Sequence, residues 1–339
     1  MKINLPLFLV CLSVLTAALS CANRDQKEPQ EKIERVMHAQ YEQHMISSGD
    51  NFPQISLNDN DRNKFLAGLH NGFSIGQIQK SLHWSDSLLQ QELNLLAENS
   101  YIRQVGESFH PSVNIIMQNE ASDIFEHTDP IAELLTRSLI ELEPDLKTFY
   151  ERTAVSNTYG YSELSFFLLS DVLLDNWQIN NVEDQFLQKE RPLRHGKRYY
   201  LQIAEKDTLN SREVFGIYGN QYACNDSICF ITYGNNRKNQ VKSTEELSQM
   251  ELPFLSIQDQ SVLSDMADFY LPHLLKVLNE NRAGFEAFYE SSAFKAETDF
   301  EEFFIWYYHF LYTNVTNKLH ERGIIRIPEN GVFRVKIER

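Results

Sequence analysis

The sequence predicts an α+β protein, on three observations. Apolar residues recur at helical spacing over long stretches, most extensively across residues 259–294. Short segments rich in β-branched and aromatic residues, at 199–204, 214–218 and 229–233, are bounded by turn formers. The 339-residue chain is 12% aromatic, with 22 Phe and 15 Tyr, so it can fill a sizeable core and does not read as disordered. The predicted layout is a leader at 1–20, a tether at 21–53, a small helical module with a hairpin at 54–118, and a domain at 119–339. That last domain is mainly helical, with a small antiparallel β-meander and a C-terminal helix-plus-hairpin.

The leader comes first. Met1-Lys2-Ile3-Asn4 is a short positive start, and residues 5–19 are uncharged and apolar. Fifteen such residues are fewer than the roughly 20 a membrane-spanning helix needs. Small residues then close the run at Ala18-Leu19-Ser20-Cys21, the grammar of a secretory signal. This ending resembles that of bacterial lipoproteins, which implies that Cys21 is lipidated and becomes the first residue of the mature chain. The family usually has Leu three residues before the cysteine, where Ala18 stands here, so ordinary cleavage to a soluble periplasmic product is the alternative. The expected address is the bacterial cell envelope, on the periplasmic face or the outer membrane, with the lipid as membrane anchor. The polar, charged residues that follow read as a solvated tether, within which residues 31–45 can form a short helix.

Charge and cysteines narrow the function. The chain has 47 acidic residues against 31 basic ones, a net charge of −16, which suits neither nucleic acid nor an anionic membrane surface. Once Cys11 leaves with the leader and Cys21 is acylated, Cys224 and Cys229 remain. They flank the turn-like Asn225-Asp226-Ser227-Ile228, between two segments rich in strand formers, and an oxidising compartment predicts a disulfide across the hairpin. No His stands at ligand spacing and the pair is not C-x-x-C, so neither a metal nor a cofactor is expected.

Residues 57–116 have the clearest internal order. Asn58-Asp59-Asn60-Asp61 opens a helix carrying Phe65, Leu66 and Leu69, and Asn71-Gly72 ends it. Ser74 caps a second helix through Ile75, Ile78 and Leu82. Ser85 caps a third with Leu88, Leu89, Leu93 and Leu96. Residues 101–105 read as a strand, Gly106-Glu107-Ser108 as a tip, and Phe109 onward as the return. This succession resembles the winged-helix family, which implies a third helix that reads DNA with Arg and Lys. Here residues 86–99 contain no cation but do contain Asp86, Glu92 and Glu98, and the hairpin offers Arg103 balanced by Glu107. Such a face repels phosphates, so the module reads as a packing or protein-interaction unit rather than part of a transcriptional regulator. A similar helix-to-strand passage at 319–326, followed by Pro328-Glu329-Asn330-Gly331 and residues 332–336, predicts a second helix-plus-hairpin.

The larger domain supplies the remaining candidates. Residues 131–155 and 161–177 read as helices. Arg191, Arg194, Lys197 and Arg198 form the one basic cluster, a candidate for holding an anionic ligand. Phe-x-x-Tyr-Gly-Asn occurs at 215–220 and 230–235, and a hairpin turning at Asp226-Ser227 sets Gly219 opposite Gly234. Bare backbone there suits a bulge, or the close approach of a ligand or partner. Thr298 or Asp299 caps a helix that is apolar all round from 303 to 312, and therefore central. Its His309 and Glu302 share a face, either as satisfied core residues or as an acid/base pair. Ser292-Ala293-Phe294-Lys295 matches S-x-x-K of penicillin-binding proteins, but no K-T-G follows it. There is no H-E-x-x-H, P-loop or G-x-G-x-x-G. The sequence thus predicts an exported, lipid-anchored protein that binds an envelope protein or polymer. The alternative is an envelope hydrolase using His309 with Glu302 or Ser292 with Lys295.

Overall fold

The computed structural model describes residues 30–206, 217–235, 237 and 242–339. The predicted leader, the lipidation site Cys21, the tether before residue 30 and the start of the strand expected at 214 lie outside the described residues. The architecture is α+β and divides into two compact units. One holds the described residues of Met1–Ile115 and Leu193–Thr208, the other those of Ile116–Pro192 and Leu209–Arg339. No helix among the described residues is long and apolar enough to cross a membrane.

In the first unit, helix α1 (residues 30–38) buries Ile33, Val36 and Met37 while Glu31, Lys32, Glu34 and Arg35 face water. It leads into strand β1 (Gln40–Ile46), so residues 30–46 are part of the fold and not a solvated tether. Their apolar stripe is thin and set among charges, and it becomes visible only at helical period. β1 runs antiparallel to β7 (Tyr200–Lys206), with Gln40 opposite Lys206 and Ile46 opposite Tyr200. On its other side β7 pairs with β4 (Asn114–Ile116). This sheet draws Leu193–Thr208 into the first unit, although the sequence reads 199–204 as part of a meander in the second. A two-strand ladder, β5 (Leu193–Arg194) with β6 (Lys197–Arg198), precedes β7.

Helices α2 (Arg62–His70), α3 (Ile75–Ser81) and α4 (Asp86–Glu98) follow in order, then β2 (Ile102–Val105) paired with β3 (Ser108–Pro111). Phe65 stacks on Trp84 at 5.1 Å. The caps are where the sequence places them: Ser85 accepts from Leu88 N–H, and Ser74 with Gln77 forms a reciprocal capping box. Ser74→Ala is expected to cost about 1 kcal/mol in chemical denaturation. α2 and α4 are tied by a buried ion pair. Arg62 Nε donates to Glu92 Oε2 at 2.5 Å and Asn60 Nδ2 to Glu92 Oε1 at 2.6 Å, with Glu92 fully buried.

The second unit is built on three long helices: α5 (Gln118–Glu151), α9 (Ile257–Ser291) and α10 (Phe300–Glu321). α10 is capped by Asp299, whose carboxylate accepts from Glu302 N–H, and it is buried continuously from Glu302 to Thr316. It packs against α5 and α9. Between α5 and the sheet lies α6 (Tyr161–Phe166), which continues through a π turn at Phe167–Val172. The shorter α7 (Ile179–Asn181) and α8 (Thr244–Ser248) connect the larger elements.

The sheet of this unit has the order β10-β11-β9-β8: β8 (Tyr218–Cys224), β9 (Ile228–Asn235), β10 (Phe254–Leu255) and β11 (Val332–Glu338). β8 and β9 form the expected hairpin, with Asn225 Oδ1 accepting from the N–H groups of Ser227 and Ile228 at the turn. Cys224 lies opposite Cys229, and the two are joined in a disulfide. Because so short a loop restricts the unfolded chain little, Cys224→Ser with Cys229→Ser should cost about 2 kcal/mol in a urea melt.

The C-terminal hairpin predicted from residues 324–336 does not form. Residues 324–328 are irregular, and β11 instead pairs antiparallel with β9 and parallel with β10, burying Val332 and Val335. A seven-residue ladder on β9 supplies far more bonding than a local turn-back would. Gly219 and Gly234 face each other as predicted. At Gly234 (φ +152°), a Cβ would lie 2.2 Å from Gly331 O, so the backbone that approaches this glycine is the entry to β11 of the same chain.

Candidate functional site

An apolar run in the second unit carries two carboxylates four residues apart. Phe167–Val172 is buried at every residue. Within it Asp171 is fully buried, and Asp175 just beyond is nearly so. A π turn is a costly backbone form found mostly where a side chain must be re-aimed. From across the sheet edge, Asn220 on β8 donates Nδ2–H to both acids, to Asp171 Oδ1 at 2.8 Å and to Asp175 Oδ2 at 3.1 Å. The Tyr312 hydroxyl on α10 lies against the Asp175 carboxyl and within 2.6 Å of Tyr218 O. Around them Tyr233 bonds Ser170, Ser170 bonds Thr316 at 2.6 Å, and Tyr308 donates to Leu174 O at 2.7 Å. Half-exposed Tyr222 closes the outer side, donating to Asn176 Oδ1 at 2.5 Å.

The electrostatics of this cluster are unusual. Burial pushes Asp171 well above the ordinary carboxyl range, and the Asp175 charge beside it adds to the shift. Burial pushes Asp175 up to about 7, against the opposing bonds from Tyr312 and Asn220. Tyr233, Tyr308 and Tyr312 are likewise raised, by burial first and then by their neighbours, the carboxylates among them. Asp171 Oδ2 and Asn220 Oδ1 are buried without a hydrogen-bond partner. The arrangement can hold and exchange a proton near neutrality. Among the described residues, no group of three or more His, Cys, Asp or Glu side chains is placed to hold a metal ion.

The residues singled out from the sequence lie elsewhere. His309 is buried on α10, its Nδ1 2.7 Å from Ile305 O and its ring against Trp306 and Tyr312. Glu302 is buried two turns earlier on the same helix, about 10 Å along its axis. Ser292 Oγ donates to Tyr289 O at 2.7 Å, and Lys295 pairs with Glu290, so Ser292 is not set up as a nucleophile against Lys295. The basic cluster does not act as one surface. Arg191 makes a two-pronged pair with Glu183, and Arg194 is buried, donating to Tyr199 O and Ser112 O. Lys197 meets Asp50 at 2.9 Å, while Arg198 is exposed.

A further short motif, Gly72-Phe73-Ser74-Ile75-Gly76, has the G-x-S-x-G form of a hydrolase nucleophile turn. Its Ser74 has ordinary extended backbone and is engaged with Gln77 as a helix cap, without the preceding strand or strained turn such a nucleophile needs. The acidic pair itself has a faint sequence signal, two Asp at i and i+4 inside residues 164–175, which are otherwise largely apolar. No protein-family model, curated protein or solved structure matches this chain.

Proposed function

We propose that this is an exported, lipid-anchored envelope protein that acts by binding an envelope protein or polymer, with a winged-helix-like first unit as its interaction module. The observation that carries the reading is the exposed face of α4. It presents Ser87, Gln90, Gln91, Asn94 and Glu98 and no cation, while Arg62 is turned inward onto Glu92. Neutral amides at this position favour hydrogen bonding to protein or glycan and offer nothing to phosphates. The order α2, α3, α4, β2, β3 fits the winged-helix pattern, and the disulfide fits an oxidising compartment. Burial of His309 and Glu302 in packed core supports binding over hydrolysis.

Two measurements test this. Cys21→Ala is expected to shift the protein from the membrane to the soluble fraction, and an unchanged distribution would remove the anchor from the account. A photo-crosslinking residue at Asn94 should trap a specific partner in intact cells that the same group at exposed Glu280 on α9 does not. If neither position traps one, while a gel shift shows the purified protein retaining duplex DNA, the interaction reading is wrong.

A further inference from the structure

We propose that Asp171, Asp175 and Asn220 form a buried proton site, in which a neutral Asp171 acid pairs edge to edge with the Asn220 amide, and that withdrawal of the proton from Asp175 loosens strand β8 from the π turn. Asn220 has two amide hydrogens, and both are used, one on each aspartate. The Asn176 backbone N–H also lies against the Asp171 carboxyl and opposes its rise, yet Asp171 Oδ2 and Asn220 Oδ1, both buried, are left without a hydrogen-bond partner. A hydrogen on Asp171 Oδ2 satisfies both at once. With the existing Nδ2–H···Oδ1 bond it closes the ring that a carboxylic acid and a primary amide form. Tyr312 repeats the deficit, with one hydroxyl hydrogen between the Tyr218 carbonyl and the Asp175 carboxyl. A hydrogen on Asp175 resolves it by donating to the Tyr312 oxygen.

Among the described residues, no cation acts on the pair. The titratable groups facing the pair are Tyr222 on β8, Tyr233 on β9, and Tyr308 and Tyr312 on α10, with Tyr270 of α9 behind Tyr308. The His309 ring lies tilted against that of Tyr312, their centroids 5.0 Å apart, and its Nδ1 faces Ile305 O. Two buried carboxylates without a cation are held together only by protons. The mechanical side follows from the position of β8. It is an edge strand, tied to the segment at 171–176 by the Asn220 bonds and the Tyr222–Asn176 bond. Ionised Asp175 sets a buried charge beside the Asp171–Asn220 pair and takes away the hydrogen donated to the Tyr312 oxygen, which sets that clasp against the ladder to β9.

Hydrogen exchange of the β8 amides in the full-length protein tests this, read as protection factors so that intrinsic exchange cancels. A group raised in the closed state favours closure at low pH and ceases to do so as pH climbs to its raised value. Protection should therefore fall from about pH 5 upward, most steeply below about pH 7 where both acids contribute, and by no more than about tenfold per unit above it, where Asp171 alone still holds a proton that the open state gives up. Asp175→Asn should remove the Asp175 share of the slope, leaving at most about tenfold per pH unit, and keep protection above the wild-type level at about pH 8. Asp171→Asn should keep the low-pH protection, because its amide still donates to Asn220, whereas Asp171→Ala should lose it. A flat wild-type profile, or an Asp175→Asn profile with the wild-type slope, overturns the proposal. Should Asp175→Asn fail to fold, infrared spectroscopy of the wild type at about pH 8 decides. The carbonyl band of a protonated carboxyl is expected there and should vanish in Asp171→Asn, and its absence from the wild type overturns the assignment.

Discussion

Glu92→Ala is expected to destabilise the first unit by about 3–5 kcal/mol. The substitution removes the partner of a guanidinium that cannot reach water. Arg62 keeps its bond to Ser56 O and a 3.6 Å contact with exposed Asp59, but its Nε and Nη2 lose both carboxylate bonds. Asn60, held at φ +51°, loses its acceptor too. Urea denaturation followed by far-UV circular dichroism measures the change. Replacing both partners, Arg62→Met with Glu92→Leu, should recover most of the loss, since an apolar pair of similar volume has no stranded charge. A single variant within about 1 kcal/mol of wild type would show that Arg62 finds water or another acceptor once Glu92 is gone. The pair holds α2 against α4, so the same variant should also lower crosslinking from Asn94.

Gly234→Ala should be the most damaging single methyl addition in the second unit. The added carbon would sit 2.2 Å from Gly331 O and 2.8 Å from Val332 Cα, and both are backbone atoms that no rotamer change can move aside. Relief requires the start of β11 to peel from β9, breaking the Asn235 N–H bond to Gly331 O and the pairs that follow. We expect a loss of more than about 3 kcal/mol, or failure to accumulate in cells. The matched control is Gly284→Ala on the exposed side of α9, where nothing lies within 4 Å; there alanine should stabilise by about 0.5–1 kcal/mol. Equal melting temperatures for the two variants would mean that β11 contributes nothing to the fold.

Local signals in the sequence mark most of the helices and their ends. Ser74, Ser85 and Asp299 announce their caps, and the aromatic run of α10 announces burial on all sides. The β8–β9 hairpin and its disulfide are likewise local, because the pairing residues flank one turn. What is not legible is pairing at a distance. β1 finds β7 across more than 150 residues, and β11 chooses β9 over the turn beside it. The sequence allows a helix within 31–45, but its packing into the fold is hidden because charges surround its narrow apolar stripe. The acidic pair is hidden for the same reason as the sheets. Asp171 and Asp175 look like stray polar residues until Asn220, more than forty positions later, reaches both.

The folding of α1 also shortens the leash. On the lipidation of Cys21 that we propose, only residues 22–29 separate the acyl group from the first described helical turn. Eight residues stretch to at most about 28 Å. That anchoring would hold the start of α1 within this distance of the bilayer. Under the proposed anchoring, the first unit would meet partners at that surface at a high local concentration and over a narrow range of heights.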